Sequence, residues 1–233
     1  PIGCGRNDLY TQTKNINYTL DAVHLAHRLG CTTFIGAGSQ AEYGRYHGKL
    51  SADVPAFPET GYGIAKLCAG QMSRIECHKL GIRHVWPRIL SIYGPYDGQQ
   101  TMIISTIRKL LNGEKPALTQ GIQQWDYLYS SDAANALLLL GEKGIDGKVY
   151  CVGSGQSFAL SDYICKLRDA VDPSLELGFG EIPYDGKQVM HLCADISELQ
   201  KDTGFLPQVS FEEGIRKTIY WAKKTEDQKN EKN

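Results

Sequence analysis

The feature that most constrains the fold of this chain is a regular alternation of helical and strand-like segments. Across residues 9–29, apolar side chains recur at helical spacing, and Gly30 stands where a helix is expected to end. The run CTTFIGAGS (31–39) follows as a short buried strand that ends in small residues. The pattern repeats, with a helix over 61–81 and a strand over 82–94. Such alternation predicts parallel strands joined by right-handed helical crossovers, which is a doubly wound α/β fold.

Beyond Pro95 the alternation becomes less regular. The segment WDYLYS (125–130) is strand-like, and GKVYCVGSG (147–155) is typical of one more core strand. Helices are predicted at about 100–113, from Asp132 onward, and at about 159–170, 195–203 and 211–224. The end of the chain is highly charged and has no apolar anchors, so we expect residues 225–233 to be disordered.

The composition excludes several classes of protein. The 233 residues are enough for one large or two small domains, and 42% hydrophobic residues can bury a sizeable core. Net charge is −1 and the basic residues are scattered, which disfavours nucleic-acid binding. No apolar run approaches the roughly 20 residues of a membrane span, and residues 1–20 lack the apolar segment of a secretory signal peptide.

Cysteine usage points to a reducing compartment. The seven cysteines are an odd number and are widely spaced, without a CxxC pair or a Cys/His cluster at zinc spacing. We therefore expect reduced thiols, no metal site and a cytoplasmic location.

A tyrosine four residues ahead of a lysine in ETGYGIAK is the first candidate for chemistry. Tyr62 and Lys66 project from one face of the predicted helix, so that the ammonium group can lie near the phenol. A cation at that position favours the phenolate form that a general base requires.

The spacing alone decides nothing, because Tyr10/Lys14 and Tyr220/Lys224 share it. Neither of those pairs follows a strand end, and we interpret both as surface or packing pairs. The pair in ETGYGIAK instead lies between two predicted strand ends, GAGSQAEYG and PRILSIYG, and ligands of open parallel sheets bind at the carboxyl ends of strands. We expect Ser39, Tyr62 and Lys66 to converge on one crevice.

Several further motifs in order give the chain a resemblance to a known family. They are NINYTL beginning at Asn15, FIGAGSQAEYG, YGIAK, PRILSIYGP, WDYLYSSDAANA, GKVYCVGSG and DISELQKDTGFLPQVSFEEGI. Over nearly its whole length the chain resembles the extended short-chain dehydrogenase/reductases, the NAD-dependent epimerase/dehydratase family that modifies nucleotide sugars. The resemblance implies a Rossmann-like sheet that lacks its first strands, with a smaller C-terminal α/β lobe for substrate. Residues 1–92 and 126–155 would form the partial NAD(P)-binding domain, and residues 93–125 and 156–224 the substrate lobe.

The same resemblance implies roles for particular residues. Tyr62 would be the general acid/base, Lys66 would support it and hold the nicotinamide ribose, and Ser39 would hydrogen-bond the reacting oxygen. The residues implied for NAD or NADP binding are Asn15, Ala37, Gly38, Tyr62, Lys66, Pro87 and Arg88. Those implied for the sugar nucleotide are Ser39, Gln40, Ser91 and Trp125.

The sequence departs from the family at the cofactor end. A GxxGxxG phosphate loop and a residue that reads the adenine ribose are both missing, so the sequence does not separate NAD from NADP. We expect that about half a domain preceding Pro1 has been lost, that the strand at 32–38 has an unpaired edge, and that the fragment binds NAD(P) poorly.

Departures on the substrate side narrow the reaction. Gln40 and Ala41 stand where 4,6-dehydratases have an Asp-Glu pair, which disfavours dehydration. Trp125 replaces an arginine that holds the diphosphate, a second arginine expected near position 185 is missing, and Ser91 stands where epimerases often have asparagine. The sequence therefore predicts a 4-ketoreductase or 4-epimerase of a nucleotide-activated sugar, slightly favouring the reductase. The alternative is a non-catalytic nucleotide-binding scaffold or an inactive fragment.

Some alternatives stay open for single residues. Trp125 could stack on the substrate or support the core, and Glu42 could face the substrate or cap its loop. His24 and His27 could share a metal, although solvated surface positions are favoured. The helix segment 67–80 could form a homodimer interface, or its Met72 and Ile75 could pack inside the chain.

Overall fold

The computed structural model describes residues 3–186 and 188–230, with side chains described for residues 5–186 and 188–225. Its helices are α1 (Leu9–Arg28), α2 (Gly61–Leu80), α3 (Met102–Leu111), α4 (Ser130–Lys143), α5 (Leu160–Val171), α6 (Ser197–Thr203) and α7 (Phe211–Asn230). Its strands are β1 (Thr33–Ile35), β2 (Gly38–Ser39), β3 (Arg83–Ile89), β4 (Ser91–Tyr93), β5 (Gln124–Trp125), β6 (Tyr127–Tyr129), β7 (Val149–Val152) and β8 (Phe158–Ala159).

Local capping explains where the two long N-terminal helices begin and end. The Asp8 side chain accepts a hydrogen bond from the Thr11 amide at the start of α1, and the Thr60 side chain accepts one from the Gly63 amide at the start of α2. Gly81 ends α2 with φ 69°, a left-handed conformation that glycine adopts without steric cost. Both helices agree with the sequence predictions to within one residue.

The sheet is parallel, with β3 at its centre. β1 and β2 pair with one edge of β3 and β7 pairs with the other. Helices α2 and α4 both contact this sheet, and the doubly wound α/β prediction is confirmed. In the part of the chain that the structure describes, β1 and β2 both pair with β3.

Two predicted strands are each divided in the structure. The segment 31–39 is interrupted between β1 and β2, and the segment 82–94 is interrupted at Leu90, where the chain leaves the central sheet. After that break β4 pairs in parallel with β6, in a separate two-stranded sheet. A continuous apolar run does not show where a strand changes partners, so the sequence predicted single strands.

Two large apolar cores organise most of the described chain, and a small third cluster packs Val23 of α1 against Cys77 of α2. The first contains the sheet residues together with α4 and the segment that carries Leu192, Leu199 and Phe205. The second joins α3, α5 and α7 around Tyr93 and Tyr129. The segment around Leu192–Phe205 packs in the sheet core although it falls in the predicted substrate lobe; the division into two domains stays a proposal.

The end of the chain differs from the sequence prediction. Helix α7 continues to Asn230, so residues 225–230 are helical rather than disordered, while residues 231–233 lie outside the described residues. Extending an existing helix avoids the cost of nucleation, which explains why a charged segment without apolar anchors remains helical.

Two further features of the described region are the state of its cysteines and the apolarity of its helices. Cys31, Cys68, Cys77, Cys151, Cys165 and Cys193 are free thiols, and Cys4 lies among the residues whose side chains are not described. Within the described ranges, no helix has both the length and the apolarity needed to cross a bilayer.

Candidate active site

Close packing of α2 on the sheet places the start of this helix beside the loop that follows β2. A Cβ atom at Gly63 would lie 2.2 Å from the Ala41 carbonyl oxygen, and one at Gly70 would lie 2.6 Å from the Trp86 ring. Only glycine allows so close an approach. The first two turns of α2, which carry Tyr62 and Lys66, therefore lie directly against the loop that follows β2.

Lys66 reaches across to the strand that leads to Ser39. Its Nζ atom donates a 2.8 Å hydrogen bond to the carbonyl oxygen of Ala37. Burial lowers the pKa of the Lys66 amine, and the negative charge of Glu42 opposes that shift. Lys66 is thus attached to the carboxyl end of the strand, as the crevice hypothesis requires.

Tyr62 lies beside that lysine and is half-buried. Its ring centroid is 5.9 Å from Lys66 Nζ and 5.3 Å from the guanidinium carbon of Arg6. Two cations therefore flank the phenol, one of them from the segment that precedes α1. The sequence predicted the lysine but not Arg6, which is 56 positions away along the chain and has no recognisable motif.

Ser39 begins a short 3₁₀ turn, Gln40–Glu42, and a capping box closes the start of that turn. The Ser39 hydroxyl accepts a hydrogen bond from the Ala41 amide, and the Ser39 amide donates one of 2.8 Å to Glu42 Oε1. Glu42 is fully buried and ion-paired with Arg88 at 2.7 Å. Of the two alternatives for Glu42, the structure shows the capping role.

Ser91 and Trp125 lie beyond the carboxyl end of β3, outside the central sheet. Ser39 is paired with Ile89 in the register of β2 and β3, and Ser91 follows two residues later. Trp125 Nε1 donates a 2.8 Å hydrogen bond to Ser91 Oγ. The Trp125 ring lines a cavity of about 310 Å³ between α3 and α5, in which Lys109 is the charged lining residue.

A second cavity of about 420 Å³ adjoins the first through Gln188, which lines both. Arg45 in this cavity makes a 2.8 Å ion pair with Glu59 and donates a 2.9 Å hydrogen bond to the Gly186 carbonyl. An arginine therefore does lie beside the segment near position 185, but it comes from a distant part of the chain. Sequence reasoning missed it, because an arginine was expected within the segment itself.

Other predicted site residues are placed less directly. The Asn15 amide donates to Gln12 Oε1 at 2.6 Å, a contact within α1. Pro87 and Arg88 lie on the central strand between β2 and β7, and the Arg88 side chain is directed to Glu42. Their contact with a cofactor stays a prediction.

The structure also bears on the alternatives left open for the histidines of α1 and for Met72 and Ile75 of α2. His24 Nε2 lies 3.5 Å from Glu76 Oε1, and within the described ranges no three His, Cys, Asp or Glu side chains are grouped as ligands for a metal. Met72 and Ile75 are 41% and 52% exposed, so the alternative in which they pack inside this chain is wrong.

Comparison with known proteins identifies the family behind this arrangement. Residues 4–153 match the model of the NAD dependent epimerase/dehydratase family, which is more than half of the chain. The chain belongs to this family. The resemblance inferred from the motifs is thereby confirmed.

A curated relative of the chain is a dehydratase of a nucleotide sugar. The chain is 30% identical over 184 residues to a dTDP-glucose 4,6-dehydratase from Xanthomonas campestris pv. campestris, covering 75% of this chain and 52% of the relative. It thus spans about half the length of that curated relative. No single activity follows for this chain from the comparison.

Solved structures confirm the fold. A UDP-N-acetylglucosamine 4-epimerase from Methanobrevibacter ruminantium M1, in complex with UDP-N-acetylmuramic acid, matches with a TM-score of 0.83 at 24% identity, covering 91% of this chain and 69% of that chain. A dTDP-glucose 4,6-dehydratase from Bacillus anthracis str. Ames, in complex with NAD, matches with a TM-score of 0.83 at 18% identity, covering 95% of this chain and 71% of that chain. The Rossmann-like α/β prediction is therefore confirmed.

Proposed function

We propose that the protein is an NAD(P)-dependent 4-ketoreductase or 4-epimerase of a nucleotide-activated sugar, with Ser39, Tyr62 and Lys66 as its catalytic residues. The observation that carries the proposal is the hydrogen bond from Lys66 Nζ to the Ala37 carbonyl. It attaches the lysine of the Tyr-Lys pair to the strand end that carries Ser39, which neither of the other two Tyr-Lys pairs achieves.

The donors at this strand end fit a nicotinamide cofactor. The Lys66 ammonium group has three N–H donors and the Ala37 carbonyl takes one of them. The others, together with the Tyr62 hydroxyl on the same face of α2, suit the vicinal hydroxyl groups of a ribose. When bound, the cofactor supplies or accepts the hydride at the sugar carbon.

The protein's own groups would move the proton. In the reducing direction the Tyr62 hydroxyl gives its proton to the carbonyl oxygen of the 4-keto sugar as that oxygen becomes a hydroxyl, and the reverse step returns it. Ser39 donates a hydrogen bond to the same oxygen and orients it. The Lys66 cation stabilises the phenolate that remains on Tyr62 after the transfer.

Dehydration has no suitable acid or base at the two positions directly after Ser39, and the next residue, Glu42, is fully buried and ion-paired with Arg88. Gln40 has an amide side chain that cannot exchange a proton at neutral pH, and Ala41 is buried beneath the first turn of α2. The protein therefore shares its family with dehydratases, but the loop after Ser39 supports reduction or epimerisation.

The two adjoining cavities are the proposed substrate cleft. The cavity beside Trp125 is mostly apolar and suits the planar nucleoside portion of the substrate, while Arg45 in the neighbouring cavity supplies positive charge for its phosphates. Occupation by phosphate would require Arg45 to exchange Glu59 for the ligand.

We further propose a homodimer formed through α1 and α2. The helix pair leaves Ile64, Met72 and Ile75 of α2 exposed at helical spacing, and such a stripe is typical of an interface between copies.

One assay separates the two activities. The full-length protein is mixed with a 4-keto nucleotide sugar and NADPH, or with a nucleotide hexose and NAD, and cofactor and sugar products are measured. A reductase consumes one NADPH per sugar reduced, whereas an epimerase inverts the sugar without net change in the cofactor. Absence of both reactions with all sugar nucleotides, alongside intact cofactor binding, would favour the scaffold alternative.

A further inference from the structure

The segment from Ala37 to Ser39 is held by opposite charges on its two sides. Lys66 Nζ binds the carbonyl oxygen of Ala37, and Glu42 Oε1 binds the amide of Ser39, each at 2.8 Å. Between them, a Cβ atom at Gly38 would lie 2.8 Å from Glu42 Oε1, so no other side chain fits there without displacing the carboxylate. The cation and the carboxylate thus bind backbone groups on the two sides of Gly38.

The carboxylate itself is bound on all sides. Trp86 Nε1 lies 3.1 and 3.2 Å from its two oxygens, and Arg88 Nε donates to Oε2 at 2.7 Å. Glu42 is fully buried. A charge removed from water is tolerated only with such partners, and with them it interacts strongly with any other charge nearby.

We propose that Glu42 is a positioning residue of the active site, whose buried charge fixes the Ser39 backbone and holds Lys66 as a cation beside Tyr62. The role of Glu42 in catalysis rests on the proposed function, but its effect on the charge of Lys66 does not. Glu42 is the charged group with the main influence on the amine, and it opposes the burial that would otherwise favour the neutral form.

The other ionisable groups around Glu42 come from each neighbouring element. The Arg88 guanidinium of β3 lies 4.4 Å from the Tyr43 ring centroid, and the Tyr43 hydroxyl is 3.1 Å from Cys151 Sγ of β7. Burial raises the pKa of the Cys151 thiol to about 11 and that of the Tyr43 phenol still further, so both are neutral near pH 7. Arg88 is thus the counter-charge of Glu42. The protonation of Lys66 depends on the balance between its burial, which favours the neutral amine, and the charge of Glu42, which favours the cation.

The test is a titration of Lys66 in the variant Glu42→Gln. Glutamine keeps the size of the side chain and an oxygen for the Ser39 amide, but removes the charge. The side-chain pKa of Lys66 is measured by NMR with ¹³C-labelled lysine, and the Lys66 signal is assigned by its loss in Lys66→Arg. We expect that pKa to fall by about one unit, which is a roughly tenfold change in the acid dissociation constant of the Lys66 ammonium group.

Asp132→Asn is the matched control. Asp132 is also a buried carboxylate, and it accepts two 2.9 Å hydrogen bonds, from the amides of Gln208 and Val209. Its replacement is expected to leave the Lys66 titration unchanged. In Glu42→Asp, which keeps the charge, the pKa of Lys66 is expected to stay close to that in the wild-type protein.

Loss of Glu42 leaves Arg88 buried without a counter-charge and can prevent folding. In that case the double variant Glu42→Gln/Arg88→Met, which removes both charges, is titrated instead, and a smaller fall in the same direction is expected, because loss of the Arg88 cation offsets part of the effect. A wild-type Lys66 pKa in either variant, once folded, overturns the proposal. Because the titration needs no substrate, failure to detect any sugar reaction would refute the proposed function and leave this result standing.

Discussion

The indole nitrogen of Trp125 donates a hydrogen bond of 2.8 Å to the hydroxyl oxygen of Ser91, joining β5 to the first residue of β4. The family resemblance implies both residues for the sugar nucleotide, and each uses a polar atom on the other. What Trp125 presents to the cleft is therefore its ring, held at one angle by Ser91.

Breaking this hydrogen bond should weaken substrate binding. In both Trp125→Phe and Ser91→Ala we expect KM for the nucleotide sugar to rise about fivefold, as loss of one hydrogen bond of about 1 kcal/mol would give, with a smaller change in kcat. Steady-state kinetics check this. Trp221→Phe on α7, outside the cavity lining, serves as the control, and unchanged KM in both test variants would mean that the ring is not part of the substrate site.

Because Gly63 lies against Ala41, its replacement by alanine should destabilise the protein, which is the opposite of the usual effect in a helix. Alanine normally stabilises a helix relative to glycine by about 1 kcal/mol. At Gly63 its Cβ would lie 2.2 Å from a backbone oxygen, so we expect Gly63→Ala to destabilise the protein by about 1–3 kcal/mol in urea unfolding.

Gly98→Ala is the comparison for that measurement, because its Cβ would meet only Thr101 Cγ2 at an ordinary 3.6 Å. We expect Gly98→Ala to change the free energy of unfolding by less than about 0.5 kcal/mol. A stabilising Gly63→Ala would show that α2 does not lie as close to the Ser39 loop as described.

Much of the fold was predictable because its signals are local. Thr60 and Gly81 mark the ends of α2, and the apolar runs mark the strands, each within a few residues of sequence. The point where β4 leaves the central sheet was not predictable, since it depends on pairing with β6, more than thirty positions away. Helix α7 was predicted too short because charge alone does not end a helix that tertiary packing has already nucleated.

A buried histidine should make stability depend on pH. His84 is buried between the rings of Phe34 and Trp86, and burial together with the positive charge of Arg74 lowers its pKa from 6.5 to about 4. Between those values the unfolded chain binds a proton that the folded protein does not, so stability is full above pH 6.5 and falls as the pH decreases toward 4.

His84→Phe keeps a ring in the stack and removes the titration. We expect the loss of unfolding free energy between pH 7 and pH 5 to be about 2 kcal/mol smaller in the variant than in the wild type, measured by urea unfolding at both pH values. Equal losses in the two proteins would show that His84 is not kept neutral by its surroundings.

The exposed stripe on α2 predicts the effect of a charge at the proposed dimer interface. Ile75→Glu should convert a dimer to a monomer in sedimentation equilibrium, because an unpaired carboxylate cannot be buried between two helices without a large cost. Leu138→Glu on α4, at a side chain that is 61% exposed, should leave the assembly unchanged. A wild-type protein that is monomeric at high concentration contradicts the proposal directly.

The candidate site was predictable only where its residues share a motif. Tyr62 and Lys66 are four positions apart, and Ser39 ends a recognisable strand, so the sequence was sufficient to propose that they meet. The Arg88–Glu42 pair joins residues 46 positions apart, and Arg45 meets the Gly186 carbonyl across 141 positions. Such contacts are set by how strands and loops assemble, and neither residue type nor spacing signals them in a single sequence.

The rate of hydride transfer in Tyr62→Phe tests whether Tyr62 is the general acid/base. We compare it in a single turnover with that of Tyr10→Phe, which changes the tyrosine of another Tyr-Lys pair, on a side chain that is 90% exposed. Removal of the proton donor should slow transfer by about 10²–10⁴-fold in Tyr62→Phe, without loss of cofactor binding, and should have no effect in Tyr10→Phe. Transfer within a few-fold of wild type in Tyr62→Phe would contradict the assignment of Tyr62 as the general acid/base.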